Sequence, residues 1–200
     1  MAEYTEKYIL YRQANIPKRH INFRPKHSTH DQWNSLYEDT KEKIDSGSLI
    51  AIVGTRGTGK TQIGACLIGY CTHTLSKQAL YIKAFEIFLK IRDGFNGGDE
   101  SESGSLKYFI TPHLLVIDAY EVRSDSQFEN RVLDHIIDKR YDLCKSTIII
   151  SNDTVETFQK TVGLSICDRI RETGGIIEMK WQSFRIDKPK LNVDSEEIKF

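Results

Sequence analysis

The chain has 200 residues, 28 Lys+Arg against 28 Asp+Glu and a formal net charge of +0, with 39% hydrophobic and 28% charged residues. That is enough chain for one soluble domain with a core of its own. The charge balance excludes a global electrostatic grip on nucleic acid and leaves room only for a local basic patch. The start, MAEYTEKYIL, lacks the apolar core of a signal peptide. No apolar run reaches the about 20 residues that cross a bilayer, so a cytoplasmic chain with no membrane partner is expected. Cys66, Cys71, Cys144 and Cys167 form no CxxC pair and none sits near a histidine at zinc-finger spacing. Reduced, mostly buried thiols are therefore expected.

In chain order, residues 1 to about 14 predict an amphipathic helix with Tyr4, Tyr8 and Tyr11 on one face, suited to core packing or to docking a partner. Residues 15–30 read as an irregular basic arm and 31–45 as a second helix closed by Ser46-Gly47. SLIAIVG (48–54) is a short apolar run that predicts a buried parallel strand, followed by a glycine-rich turn and a helix, TQIGACLIGYCTHTL. A strand is expected at 79–84, a helix through FEIFLKIRDGF, and a solvated loop over the polar, glycine-rich residues 96–105. HLLVID (113–118) is the next strand, 125–143 a helix, STIIISN (146–152) a strand, 154–162 and 164–172 helices, and GIIEMKW (175–181) the last strand. Strands alternating with helices predict an α/β fold, a parallel sheet flanked by helices. The organisation expected is an N-terminal helix and basic arm (1–45), a core (46–186) and a charged tail (187–200).

Gly54-Thr-Arg-Gly-Thr-Gly-Lys60-Thr61 matches GxxxxGK[ST] between a strand and a helix. The glycines let backbone N–H groups converge on phosphate, and the following helix turns its positive end toward the same anion. Gly54, Thr55, Gly57, Thr58, Gly59, Lys60, Thr61 and Gln62 are thus the expected contacts of ATP. Lys60 meets the β- and γ-phosphates, and Thr61 binds Mg²⁺. Asp118, at the mouth of the HLLVID strand, is the expected second Mg²⁺ group. Asn152, ending STIIISN, is placed to hold the γ-phosphate or the lytic water. Ala119 stands where many such ATPases carry a carboxylate, and a methyl group accepts no proton, so feeble hydrolysis is expected. Glu121 would share the face of Ala119 about 7 Å further along a continued strand. It reaches the water only after a local bend, and is otherwise an exposed loop carboxylate. Arg169 and Arg171 lie two apart on a helix and so face different ways. Spacing alone favours solvated arginines paired with Asp168 and Glu172.

Several segments together resemble the DnaC/DnaI/IstB group of AAA+ ATPases. They are NIPKRHINF (15–23), IVGTRGTGKTQIGACL, HLLVID, DKRYDLCKSTIIISN and CDRIRETGGIIEMKWQSFR, covering about residues 12 to 186. The last two are the most specific. The resemblance implies an AAA+ core with no sizeable C-terminal lid, and Ile16 to Phe23 near the adenine. It implies ATP-dependent self-assembly into a homo-oligomer, with Arg169 reaching a neighbour's γ-phosphate and Arg171 as its substitute. It also implies a replicative DNA helicase and single-stranded DNA as partners. Helicase loaders of the group usually carry a separate helicase-gripping domain, whereas few residues precede Ser48 here, so the Tyr-bearing helix would inherit that contact or helicase binding would be lost. Two other functions suit the same motifs: an IstB-type transposition helper acting on duplex DNA, and a non-enzymatic regulator that blocks a host helicase loader.

Overall fold

Residues 2–21, 25, 28–95, 102–124 and 126–185 are described by a computed structural model, without the side chains of 2–7, 95 and 102–103. Five short apolar runs form parallel strands: β1 (Leu49–Gly54), β2 (Ala79–Lys83), β3 (Leu114–Asp118), β4 (Ser146–Ile150) and β5 (Gly175–Met179). Their order in the sheet is β2-β3-β4-β1-β5, and every neighbouring pair is parallel. The fold is the α/β sheet flanked by helices that the alternation predicted.

The strand period of two divides the core between the two faces of the sheet. Leu49, Ala51 and Val53 of β1 face one layer, built from α4 (Ala84–Phe95), α5 (Glu102–Ile110), α6 (Gln127–Asp142), α7 (Val155–Val162) and α8 (Leu164–Thr173). Ile50 and Ile52 face the other, where α2 (Asp31–Lys43) and α3 (Lys60–His73) contribute Trp33, Tyr37, Ile63, Leu67 and Ile68. Near-continuous burial of β1, β3 and β4 follows from helices on both faces.

The N-terminal helix, α1 (Ala2–Gln13), leads into the edge of the sheet, where Ala14 O accepts from Tyr81 N at 2.8 Å. Tyr11 donates to Ile21 O at 2.9 Å and lies 4.7 Å from the His73 ring, while Tyr8 is 58% exposed. The tyrosines therefore do not share one fate, and the side chain of Tyr4 is outside the described residues. Cys66, Cys71 and Cys167 are buried and Cys144 is exposed. Among the described residues no helix is long and apolar enough to cross a membrane.

One expectation needs correction. Residues 102–105, read as solvated loop, begin α5. The polar start is held by burial further along: Phe109 is fully buried, Leu106 packs on the same core, and buried Ser105 donates to Lys90 O at 3.4 Å. Tertiary packing overrides a local composition that reads as loop. Residues 96–101 of that loop, and the tail from 186, lie outside the described residues.

Candidate nucleotide-binding site

β1 ends at Gly54, where the chain turns sharply at φ 131°, and a Cβ there would stand 2.4 Å from Met179 O. Gly59, at φ 93°, caps α3, so the first N–H groups of that 14-residue helix point into a cleft. Lys60 is buried, and its Nζ donates to Gly54 O and to Thr55 O, both at 2.7 Å. Desolvation lowers its pKa, while Glu121 and then Asp118 pull it back up. A buried ammonium bonded to neutral carbonyls, at a helix N-terminus, is built to receive an anion.

Thr61 Oγ1 donates to Asp118 Oδ2 at 2.8 Å, and Tyr81 OH donates to the same oxygen at 2.6 Å. Asp118 Oδ1 accepts from Ala119 N at 2.7 Å. A hydroxyl and a carboxylate side by side are hard oxygen donors, the set that suits Mg²⁺ beside phosphate. Sequence reasoning missed Tyr81. It lies on the neighbouring strand in register with Val116, and only sheet pairing brings it to Asp118. Burial, then the Asp118 charge, raise its pKa well above the usual tyrosine value.

β3 does not continue past Asp118. Ala119 adopts φ 53°, ψ 46°, and a 3-10 turn follows over Tyr120–Val122. This bend returns Glu121 to the cleft beside Asn152 rather than leaving it on an exposed loop. Glu121 Oε2 accepts from Asn152 N at 3.1 Å, and Asn152 Nδ2 donates to its Oε1, while Ser151 Oγ donates to Asp153 Oδ2 at 2.8 Å.

The cleft measures about 850 Å³. Gly57, Gly59, Lys60, Thr61 and Gln62 line it together with Asp118 and Asn152. Gly54 and Thr58 are buried behind the loop, and Thr55 contributes its carbonyl to Lys60 and Thr58. Gln62 is engaged by His20, whose Nδ1 lies 2.7 Å from its Oε1. Arg19 and His20, from the segment expected near the adenine, line the cleft, while Phe23 is outside the described residues. Aromatic residues from both ends of the core brace the loop. Trp33 donates to Gly59 O at 3.3 Å, Trp181 to Thr58 O at 3.0 Å, and Phe184 N to Gly57 O at 3.0 Å. His30 packs on Trp181 and Phe184 with ring centroids 4.8 and 5.2 Å away.

Arg169 is not part of this cleft. On α8 it meets Asp138 Oδ1 of α6 at 2.6 Å, bonds Ser165, and lies over the Tyr141 ring at 5.3 Å. Arg171 pairs with Asp168 at 3.3 Å, and Glu172 accepts from Tyr141 OH at 2.7 Å.

The chain matches, over residues 25–192, the family described as IstB-like ATP binding protein. It belongs to that family. The IstB-like chain is 29% identical over 135 residues to the replicative helicase loader DnaC of Escherichia coli K12, covering 66% of this chain and 54% of that protein. It is 25% identical over 136 residues to the uncharacterised protein YdaV of the same strain, covering 68% and 54%. The IstB-like chain thus spans about half the length of the curated relatives it matches. A crystal structure of the DnaC helicase loader superimposes with TM-score 0.69 at 20% identity, covering 82% of this chain and all (100%) of that one. Replication initiator DnaA bound to AMPPCP and single-stranded DNA gives 0.67 at 20% identity, covering 84% and 52%. At that identity the likenesses establish the fold alone, a parallel sheet flanked by helices.

Proposed function

We propose that this chain is an ATP-binding AAA+ helicase loader, or a loader-like accessory of DNA replication. It assembles in an ATP-dependent way on a replicative DNA helicase and single-stranded DNA. The observation that carries the reading is the Thr61–Asp118 contact of 2.8 Å at the head of α3, beside buried Lys60. It supports reading this loop, in an IstB-like chain with a helicase loader among its relatives, as a phosphate and cation seat.

Lys60 would place its charge at the β- and γ-phosphates, the loop N–H groups would cradle them, and Thr61 and Asp118 would hold Mg²⁺, which would neutralise phosphate charge. Asn152 orients groups at the γ-phosphate end. Arg169 serves a neighbouring subunit's site. Its bond to Asp138, half-buried on the Arg169 side, is one that assembly exchanges for phosphate, to which a guanidinium binds bidentately.

The test is capture of a purified replicative helicase by the tagged chain, with and without ATP and Mg²⁺. Capture that requires ATP and is lost in Lys60→Ala is expected. Capture of a transposase with duplex DNA instead would select the transposition-helper reading. Helicase capture that blocks loading would select the regulator. No nucleotide binding by wild type would end the ATP reading itself.

A further inference from the structure

Ala119 leaves the site without the carboxylate that usually follows the cation-binding aspartate, yet a carboxylate stands in the cleft. We infer that Glu121 replaces it, taking the proton of the water that attacks the γ-phosphate; this rests on the ATP reading above. Among the described residues, Asp118 and Glu121 are the two carboxylates that line the cleft. Asp118 is committed to the Thr61 and Tyr81 hydroxyls. Glu121 is the largest attractive charge acting on Lys60, ahead of Asp118.

The backbone explains how a residue two positions late arrives. A strand continued through Ala119 would carry Glu121 about 7 Å onward. Instead the left-handed conformation of Ala119 ends the strand, and Val122 N donates to Ala119 O at 3.0 Å to close the turn. The turn is anchored on both sides of Glu121. Tyr120 is 2% exposed and packs edge-on to Phe158 with centroids 5.7 Å apart. Arg123 donates to Thr161 O at 2.6 Å and lies over the Tyr120 ring at 4.5 Å.

The carboxylate itself is oriented by Asn152 N and Asn152 Nδ2. A carboxylate offers about four lone-pair sites, so these two donors leave capacity for a water proton. Glu121 accepts the proton lost as the water oxygen bonds to the γ-phosphorus. The bond from that phosphorus to the bridging oxygen breaks, and its electron pair leaves with ADP. A carboxylate on a fixed turn beside Asn152 does the work of one placed directly after Asp118.

The experiment compares wild type, Glu121→Gln and Glu121→Asp by three measurements. These are affinity for a fluorescent ATP analogue, the ATP-to-ADP ratio of bound nucleotide over time, and thermal melting. Glu121→Gln should bind the analogue as wild type does, melt within a few degrees of it, and retain ATP. Its hydrolysis should fall about 10²- to 10⁴-fold, the usual worth of a positioned base. Glu121→Asp keeps the base one methylene short and should fall between the two. Wild type binding ATP, with Glu121→Gln hydrolysing it at the wild-type rate, overturns this proposal and leaves the ATP reading standing. So does a wild type that binds but turns over no faster than Glu121→Gln. Failure of wild type to bind at all overturns both.

Discussion

At Ala119 a single backbone conformation decides where the next carboxylate lies. A residue with a Cβ at φ 53° bears a left-handed penalty of roughly 1–2 kcal/mol, partly offset in the unfolded state when glycine replaces it. Ala119→Gly should therefore stabilise the fold by up to about 1 kcal/mol, read as a higher urea midpoint with unchanged slope. A drop in the midpoint would mean that the methyl packs usefully. Feeble hydrolysis is the expectation when Glu121 stays on an exposed loop, and the bend at Ala119 that brings it to the cleft has no local sign in the sequence. Thr61 offers a second test at this scale. Thr61→Val keeps the shape and removes the hydroxyl next to Asp118. Nucleotide affinity in the variant should lose most of its Mg²⁺ dependence, measured by titration with and without EDTA.

Elements are tied together by one buried side chain. Arg140 of α6 is fully buried and bonds carbonyls at the end of α5 and beyond, Phe109 O at 3.0 Å, Ile110 O at 3.2 Å and Pro112 O at 2.8 Å. It also reaches Thr147 Oγ1 of β4 at 2.8 Å. The guanidinium thus caps one helix and joins it to the sheet, where positive charge also suits a helix C-terminus. Burial lowers its pKa to about 9, which leaves it charged at neutral pH. This gives a physical reason for an arginine in the DKRYDLCKSTIIISN segment. Arg140→Met strands several buried carbonyls at about 1–3 kcal/mol each. A loss of at least about 3 kcal/mol in chemical denaturation is expected. A loss under about 1 kcal/mol would show that water replaces the guanidinium without penalty.

For the whole molecule, the decisive question is assembly. Arg169 is held within its own chain by Asp138 and Tyr141, away from its own cleft. ATP shifts the assembly equilibrium only through its greater affinity for the assembled state. Arg169→Ala should lose no more than about 2 kcal/mol of monomer stability, the range of a partly exposed ion pair plus a cation–π contact. It should still bind a non-hydrolysable ATP analogue, yet fail to form the larger species that light scattering detects in wild type. If Arg171→Ala alone behaves this way, Arg171 is the residue that reaches the neighbour's γ-phosphate, and if neither does, assembly does not run through the nucleotide site. The same scale governs DNA. With a net charge of +0, a monomer should grip single strands weakly and in a salt-sensitive way, and repeated contacts in an assembly should raise affinity. Tight binding by a nucleotide-free monomer, seen by fluorescence anisotropy, would contradict this.

The sequence by itself determined the alternating strands and helices, the phosphate loop and the Asp118 position, because period, apolar runs and glycine spacing are local properties. Tertiary structure alone decided what reaches that loop from afar. Tyr81 comes by strand pairing, Glu121 by a left-handed bend, and Trp33 and Trp181 from segments at opposite ends of the core. It also decided that residues 102–105 are helical, since burial of Phe109 lies outside that polar window. The physical reason is common to all of them. Burial and hydrogen bonding between segments distant in sequence outweigh the tenths of a kcal/mol by which local residues prefer one conformation.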